Sequence, residues 1–573
     1  MTTRIGSPDR VIRRSRVLAL ALLAALGACG RDQPLAPRAA PRAPVATLNP
    51  ACDAGLGGQT HADSVTAAAT WSRAGSPHRV DVPVHVEGAG VLTLEPGVLV
   101  CFGSAGALEA ANGGRLVADG LDTARIVLTA TDPANGWGGV HLRGTPASAS
   151  SLKNARIEHT RSAYALSTHD YHAAYIDSVA IRQNERGLYL WGRGSRLSRS
   201  RVDTVTSAAY PAVTLGSVVT FEQNVIRGAA GVGLAVLGTN GISLLGGRIE
   251  GSGGVGLKVT TTGAGFAATQ PVRVTGGASY PAELVVSAFP RIYTTIAQQD
   301  SLLGNARDTL VVTGGILQQW AYPAPALPWH VTGNITVQYW GILIPMPGAV
   351  LAFDSAAEIT ATNGGRVVAR GSAAAPVRFT ASNTAAGWHG IMLDGEPTAS
   401  SYLTNVRIEY AYYHGVWVNL LHTVIVDSTI VHHSAALVLN GQNSRISRSR
   451  VDSAVYSPAV YMAGRNGTLE STLIRGSMIT GLVVGYDVQV LSCEVRDSGG
   501  DGIVVISGNE VHNCNLINNG GYGIATVFGD SINVENNWWG DAAGPGGPNG
   551  DGAEATMDYT PWRTTPYVLP YVP

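Results

Sequence analysis

The sequence is poor in lysine and has no excess of either charge. It contains two lysines, Lys153 and Lys258, among 573 residues, and its 39 basic and 40 acidic residues give a formal net charge of −1. A protein that binds nucleic acid through the phosphate backbone needs a concentrated positive field. The charge balance therefore argues against a nucleic-acid partner.

Long helices and long hydrophobic runs are also missing from the sequence pattern. Gly, Thr, Ser and Val recur throughout the chain, and this composition disfavours extended helices. The apolar run from Val17 to Ala28 has 12 residues and is too short to span a bilayer as a helix. The 71 glycines instead suit a fold of short strands and tight corners.

The N-terminal segment carries the pattern of an export signal. A basic start, with arginines up to Arg16, precedes the apolar run, which ends in Leu26-Gly27-Ala28-Cys29. This ending resembles the lipobox of bacterial lipoproteins, which implies a signal peptide over residues 1–29 and lipidation of Cys29. The resemblance predicts an exported, membrane-anchored protein at the outer membrane or cell surface. The alternative is an ordinary secretory signal with an incidental cysteine.

Residues 30–70 predict a Pro/Ala-rich tether followed by an N-terminal cap. Pro34, Pro37, Pro41 and Pro44 recur in a segment that has too few apolar residues to form a core. Downstream of Cys29 the chain has only four cysteines. Cys493 and Cys514 lie 21 residues apart, so they could form a disulfide between neighbouring strands or remain two buried thiols.

The rest of the chain is internally duplicated. Several segments return about 250 residues later, among them Gly136-Trp137-Gly138-Gly139-Val140 as Gly387-Trp388-His389-Gly390-Ile391 and Arg156-Ile157-Glu158 as Arg407-Ile408-Glu409. Within each copy a shorter period of about 22 residues is visible. Fixed self-similarity at such a period is typical of stacked coils.

The short period predicts columns of equivalent residues. In the first copy the apolar centre recurs at Ile157, Ile181, Val202, Ile226 and Ile249. In the second copy we expect the same column to contain Ile408, Ile430, Val451, Leu473, Val495 and Leu516. The residue after each first-copy centre reads Glu158, Arg182, Asp203, Arg227, Glu250. Stacked neighbours would then alternate in charge, which gives these carboxylates a structural role.

A coil of about 22 residues with three short strands resembles the right-handed parallel β-helix, the fold shared by pectate-lyase-like enzymes and many bacterial surface proteins. The predicted class is all-β, with about 20 coils. We expect repeat 1 with an irregular tail over 71–319, repeat 2 over 320–540 and a C-terminal cap over 541–573. One continuous solenoid is the favoured interpretation, and two abutting β-helices are the alternative.

The resemblance raises the question of catalysis. A lyase of this family needs acidic ligands near a basic residue, yet Lys153 is replaced by Thr404 in the second copy. Gly499-Gly500-Asp501-Gly502 lacks the adjacent aspartates of a hydrolase. Calcium could sit near Asp541, Asn549, Asp551 and Asp558, although turn chemistry explains these residues. We expect no cofactor and no other metal site.

One coil is rich in histidine and aromatic residues in both copies. These residues are His159, His169, Tyr171 and His172 in the first copy and Tyr410, Tyr412, Tyr413, His414, Trp417 and His422 in the second. If exposed in a row, they would form a glycan-binding strip; the alternative is aromatic stacking between coils. The resulting hypothesis is a non-enzymatic surface protein that binds glycan or another cell-surface polymer along one face. A polysaccharide lyase or glycoside hydrolase is the alternative.

Overall fold

The structure is a computed structural model that describes residues 48–53, 57–262, 265–288, 302–318, 321–324, 327–452, 454, 458–529 and 531–570. Its helical elements are single 3₁₀ turns, namely Pro50–Cys52, Arg73–Gly75 and Val286–Ala288. In this described part of the chain, no helix has the length and apolar character needed to span a membrane. All other regular structure is short parallel strands.

One sheet runs along the whole solenoid, and we call it the long sheet. It contains 19 described strands, which pair in parallel from one coil to the next. Its strands are Val84–Val86, Leu108–Ala110, Val140–Leu142, Tyr164–Thr168, Arg186–Leu190, Val213–Leu215, Leu234–Val236, Leu257–Val259, Ala282–Leu284, Leu310–Val312, Trp329–Val331, Val350–Phe353, Val377–Ala381, Val406–Glu409, Ile430–His432, Arg450–Asp452, Leu473–Arg475, Glu494–Arg496 and Asn515–Ile517.

The other two faces of the first half form one 17-stranded sheet, because two long strands bend from one face to the next. Its first face contains Ala68–Trp71, Val91–Leu94, Arg115–Asp119, Ser150–Lys153, Ala174–Asp177, Arg196–Ser198, Thr220–Arg227, Ile242–Glu250 and Phe266–Gln270. Its second face contains Gln59–Thr60, His78–Val80, Leu99–Phe102, Ile126–Ala130, Ala155–Glu158, Ala180–Asn184, Arg201–Val205 and Arg273–Thr275, together with the ends of the two long strands.

Two further sheets complete the second half. The ridge sheet contains Gly315–Gln318, Ile335–Gln338, Glu358–Ala361, Gly390–Leu393, Val416–Val418, Leu437–Leu439, Val460–Met462, Leu482–Tyr486, Ile503–Ser507, Tyr522–Thr526 and Gly552–Ala553. The remaining sheet contains Ala321–Ala324, Ile342–Pro345, Arg366–Arg370, Ser401–Thr404, Val424–Asp427, Arg445–Ser447, Thr468–Glu470, Gln489–Leu491 and Glu510–His512.

The predicted all-β solenoid is confirmed, with about 19 turns where the sequence suggested about 20. The long sheet passes without a break through the irregular middle, because Ala282–Leu284 pairs with Leu310–Val312, which pairs with Trp329–Val331. The chain therefore forms one continuous solenoid, and the alternative of two abutting β-helices is wrong.

Equivalent residues of the two halves lie on different sheets. Val80 belongs to the second face of the first half, whereas Val331, 251 residues later, belongs to the long sheet. The strands Val84–Val86 and Trp329–Val331 are ten steps apart in the long sheet, and the next strand along the chain, Ile335–Gln338, is the sequence equivalent of Val84–Val86. The 251-residue offset between equivalent residues thus corresponds to ten turns plus one strand. Each strand of the second half therefore lies one face further around the solenoid than its equivalent in the first half.

The apolar column of the first half is confirmed. Ile157, Ile181, Val202, Ile226 and Ile249 pair in that order, and each is buried. In the second half the prediction is wrong at two positions. The buried file there is Ile408, Val431, Val451, Ile474, Val495 and Leu516, while Ile430 and Leu473 pair with Arg450 on the outward positions.

The two errors have one physical cause. Ser428 and Ser471 adopt left-handed backbone conformations, with φ of 49° and 50°, and each begins a corner. The next residues, Thr429 and Thr472, then point inward and are buried. The same left-handed residue lies three positions before the buried one in coils that were placed correctly, as Arg448 does before Val451 and Ser492 before Val495. Since Ile430-Val431 and Leu473-Ile474 are both apolar pairs, alternation alone could not decide which member faces the core.

Of the two alternatives for Cys493 and Cys514, the structure has the pair of buried thiols and not the disulfide. Both are buried free thiols, and the backbone N–H of Cys493 lies 3.4 Å from Sγ of Cys514. They continue an internal polar ladder in which the backbone N–H of Cys514 donates to Oδ1 of Asn537 at 2.8 Å. The disulfide in the structure is instead Cys52–Cys101, which ties the end of the predicted tether to the first coils. Cys52 lies outside the repeat, so spacing gave no signal for this pair.

Two predicted features of the N-terminus lie outside the described residues. These are the signal peptide with Cys29 and most of the tether. At the other end, Trp539 is fully buried under the last coil, and the side-chain amide of Asn537 donates to the carbonyl oxygens of Val511 and Val534, each at 2.7 Å. These contacts close the C-terminal end of the solenoid.

Candidate functional site

The charged residues on the first half form the predicted ladder. Glu158 pairs with Arg182, Arg182 with Asp203, Asp203 with Arg227 and Arg227 with Glu250. The Oε2 atom of Glu158 lies 2.9 Å from Nε of Arg182, and the Arg227–Glu250 contact is 2.5 Å. These carboxylates are neutralised by arginine and stabilise stacked coils.

The same arrangement recurs in the second half. Asp452 lies 2.6 Å from both Arg450 and Arg475, and Glu409 lies 2.7 Å from Arg378. The exposed members contribute about 0–1 kcal/mol per pair, because solvent screens them. Their regularity along the stack indicates a structural use of carboxylates that could otherwise be taken for general acids.

The residues weighed for catalysis are also engaged in the structure. The ammonium of Lys153 donates to Asp119 at 2.9 Å. Oδ1 of Asp501 accepts the backbone N–H of Tyr522 at 2.7 Å, which is a corner contact. A charged lysine held by a carboxylate is a poor base for proton abstraction.

One serine–histidine pair lies on the outer side of the long sheet. The Ser167 hydroxyl donates to Nδ1 of His141 at 2.8 Å, and Nε2–H of His141 donates to the Gly138 carbonyl at 2.8 Å. Burial lowers the pKa of His141, which keeps the ring neutral. Ser167 is only 1% exposed, so its hydroxyl cannot reach a polymer substrate.

Two of the aspartates considered for calcium make structural contacts, Asp541 within a turn and Asp551 between coils. Asp541 accepts the backbone N–H of Ala543 at 2.8 Å, and Asp551 accepts the side-chain amide of Asn519 at 2.6 Å. Burial raises the pKa of Asp551. Among the described residues, no three His, Cys, Asp or Glu side chains come together as a metal site.

Two histidines of the predicted glycan strip are interior residues. His172 and His422 are fully buried. Nε2 of His172 accepts the Ser150 hydroxyl at 2.7 Å, and Nε2 of His422 accepts the Ser401 hydroxyl at 2.8 Å. Burial lowers the pKa of His422 to about 4. Neither ring can contact a glycan, so their assignment to the strip is wrong.

The other second-half candidates do not form a row. His414 is 4% exposed, and burial lowers its pKa. Tyr410 packs against the core, and the Tyr412 hydroxyl donates to the Thr384 carbonyl at 2.7 Å. Only Tyr413, at 74%, and Trp417, at 39%, are exposed. Trp417 lies on the ridge sheet, whereas Tyr410 follows a strand of the long sheet.

The first-half candidates lie beside a more extensive aromatic cluster. His159 occupies a corner with φ of 64°, and burial lowers its pKa. His169 follows the strand Tyr164–Thr168, and its ring lies 5.2 Å from that of Tyr189. Tyr171 is 62% exposed, with the Arg193 guanidinium 5.9 Å from its ring centroid.

Tyr189 and Trp191 are the centre of this cluster, which we call the aromatic platform together with Tyr164 and His169. The rings of Tyr189 and Trp191 lie 5.5 Å apart and are tilted by only 6°, and Tyr164 lies 5.2 Å from Tyr189. Because Tyr189 and Trp191 are two residues apart along an extended segment, their side chains share its outer side. That alternation was a signal for Tyr189 and Trp191 that sequence reasoning missed.

A guanidinium borders the aromatic platform. Arg186 lies 4.0 Å from the ring centroid of Tyr210 and 5.9 Å from that of Tyr164. Its Nε is buried without a hydrogen-bond partner in the described structure. A planar donor between aromatic rings can bind hydroxyl or carboxylate oxygens of a ligand while the rings bind its apolar surface.

A comparison with protein families gives one match in the second half. Residues 389–539 match a family model described as the right handed beta helix region. A comparison with curated proteins finds no match. The matched segment covers seven coils of the solenoid, and the strand pairing continues the same architecture on its N-terminal side. The fold is therefore a parallel β-solenoid, and residues 389–539 are similar to the β-helix repeat family.

Proposed function

We propose that this protein is an exported, lipid-anchored surface protein that binds glycan through the aromatic platform of its first half. The observation that carries the proposal is the parallel pair Tyr189 and Trp191, which is fixed on a flat strand and continued by Tyr164. A sugar ring presents an apolar C–H face, and a rigid aromatic surface is its natural partner. Lipidation of Cys29 would hold the solenoid at the membrane.

The surroundings of the aromatic platform support a mixed polar and apolar ligand. Tyr164 and Tyr189 are half-buried, and burial raises the pKa of both phenols, so both are neutral hydrogen-bonding groups at pH 7. Arg186 and His169 add donors at the edges. Ligand sites commonly combine apolar surface with a few fixed polar groups in this way.

The test is retention of the full chain on immobilised polysaccharides. Trp191→Ala should weaken retention about tenfold, since one aromatic contact is worth roughly 0.5–1.5 kcal/mol. Trp340→Ala is the matched control, because Trp340 is 62% exposed on a corner away from the aromatic platform. Equal loss in both variants, or no retention of the wild type on any polysaccharide, would refute glycan binding at this site.

Catalysis by a lyase or hydrolase is the alternative function. A lyase would release unsaturated products, which absorb ultraviolet light, from a panel of polyuronates. A hydrolase would release reducing ends. If turnover is observed, persists in Trp191→Ala and is abolished by substitution of a different residue, the protein is an enzyme and the binding proposal is wrong.

A further inference from the structure

The ridge sheet carries a continuous apolar column on its outer side. The central residues of seven consecutive strands pair in register, and each flanking residue points into the core. This column, the ridge, consists of Met392, Trp417, Val438, Tyr461, Val483, Val504 and Ala525.

The ridge departs from the ordinary alternation of a half-buried strand. Leu437-Val438-Leu439 and Leu482-Val483-Val484 are apolar at all three positions, although only the first and third face the core. A solvated outer face should carry polar residues at the middle position. One outward column of the long sheet follows that rule, with His432, Asp452 and Arg475, whereas Ile430 and Leu473 interrupt the column beside it.

The corners beside the ridge are apolar and exposed as well. Leu420 and Leu421 follow the strand of Trp417 and are 67% and 62% exposed. Met478 and Ile479 precede the strand of Val483 and are 68% and 54% exposed, and Phe528 after the last complete strand is 65% exposed. Apolar surface is thus contributed by the sheet and by the corners that bound it.

The dimensions of this surface match those of a protein interface. Seven strands at about 4.8 Å make a ridge roughly 30 Å long. Trp417 and the five corner residues, which are 39–68% exposed, together expose roughly 700 Å² if a full large side chain is taken as about 200 Å², and one side of a standard interface is about 800 Å². Monomeric proteins seldom expose contiguous apolar patches larger than about 300–600 Å².

We propose that the ridge is the self-association surface of this protein, packed face to face against the ridge of a second copy. The ridge has no charged side chain in its column, so a two-fold pairing brings no like charges together. Both partners share one strand spacing, which allows side chains to interdigitate along the whole column. Two sheets packed in this way lie about 10 Å apart, and a two-fold axis closes the assembly as a dimer.

The proposal is tested by sedimentation of the full chain carrying Cys29→Ser, so that no lipid contributes to association. The wild-type ridge should give a dimer at micromolar concentration. Val438→Glu with Val483→Glu should raise the dissociation constant at least a hundredfold, because each buried carboxylate would lack a partner. Val82→Glu with Leu121→Glu, at positions of the first half that are 45% and 55% exposed, is the matched control and should leave the dimer intact.

A second measurement needs no variant. Side-chain oxidation of Met392, Met478 and Trp417 should fall several-fold as the wild-type chain is concentrated through its dissociation constant. The proposal would be overturned if the wild-type chain were still a monomer at about 100 μM. It would also be overturned if oxidation did not depend on protein concentration, or if the variant with both glutamates still formed the dimer. A wild-type monomer whose ridge is protected only by added polysaccharide or lipid vesicles would assign the ridge to that ligand instead.

Discussion

The two halves of the solenoid share an interior but differ on the outside. His172 and His422 make the same contact with a serine of the preceding coil, and the stacked pairs Phe102–Trp137 and Phe353–Trp388 lie 3.8 and 4.3 Å apart. The equivalent outward columns are unlike each other. The column of the first half contains His141, Ser167, Tyr189, Thr214, Ala235, Lys258 and Glu283, whereas the ridge is apolar.

This difference indicates that the interior side chains are set by folding, whereas the outward side chains are free to differ. Interior side chains must fit the coils above and below, so the same sets serve in both halves. Outward side chains meet solvent or a partner and can vary without loss of the stack. The one-face advance of the second half also places the equivalent outward columns on different sheets. The proposed binding by the aromatic platform and the proposed association by the ridge therefore involve different surfaces.

The largest expected effect concerns the shared interior. Trp137→Ala and Trp388→Ala should each lower the free energy of unfolding by about 3–5 kcal/mol, because each removes a buried stacked ring. The indole N–H of Trp137 also donates to the backbone carbonyl of Glu158, and that of Trp388 donates to the backbone carbonyl of Glu409, each at 2.9 Å. Urea unfolding should show similar losses for the two variants. A loss confined to one of them would show that the two interiors are not equivalent.

The disulfide is a difference between the halves, whereas the two tryptophans are equivalent to each other. Cys52–Cys101 closes a loop with a sequence separation of 49, and it lies in the first half alone. Its replacement by Cys52→Ser with Cys101→Ser should cost about 2–4 kcal/mol. Hydrogen exchange should become faster in the first coils and stay unchanged in the ridge sheet. Faster exchange in both regions would mean that the solenoid unfolds as one unit.

Acid sensitivity should be traceable to the buried histidines. The pKa of His422 is lowered from 6.5 to about 4. Between about pH 4 and 6.5 the imidazole is therefore protonated in the unfolded chain and neutral in the folded chain. The stability contributed by the neutral ring is complete above pH 6.5 and declines by about 3 kcal/mol as the pH falls to 4. His422→Gln should flatten this part of the stability curve in urea titrations. An unchanged curve would refute the assignment.

The smallest expected effect is the tenfold loss of polysaccharide retention in Trp191→Ala. Tyr189→Ala should give a similar loss, because the two rings form one parallel pair. Trp417→Ala, on the ridge, should keep the retention of the wild type. If Trp417→Ala weakens retention more than Trp191→Ala, glycan binding belongs to the second half.

The sequence predicted the fold well because the repeat period is a property of the interior. Ile157 and Val202 were placed correctly, since each lies between two charged residues. Ile430 and Leu473 were misplaced because each is followed by a second apolar residue, Val431 or Ile474, which made the alternation ambiguous. His172 and His422 were assigned to the surface because composition does not reveal whether a polar side chain finds a buried partner such as Ser150.

The surface was predicted less well, for a related reason. Tyr410 and Trp417 are seven residues apart in sequence but lie on different sheets, because a corner separates their strands. The aromatic platform and the ridge depend on side chains from successive coils, and they become visible once the register is fixed. The apolar triplets of the ridge strands were a usable signal, since they break the alternation expected of a solvated face.

The most direct test of this division of roles is the retention of the ridge variant, Val438→Glu with Val483→Glu, on the polysaccharide gel that retains the wild type. If the first half binds glycan and the second half mediates association, the variant is retained with the affinity of a single wild-type chain. Loss of retention to the level of Trp191→Ala would contradict the division and place both activities on the ridge sheet.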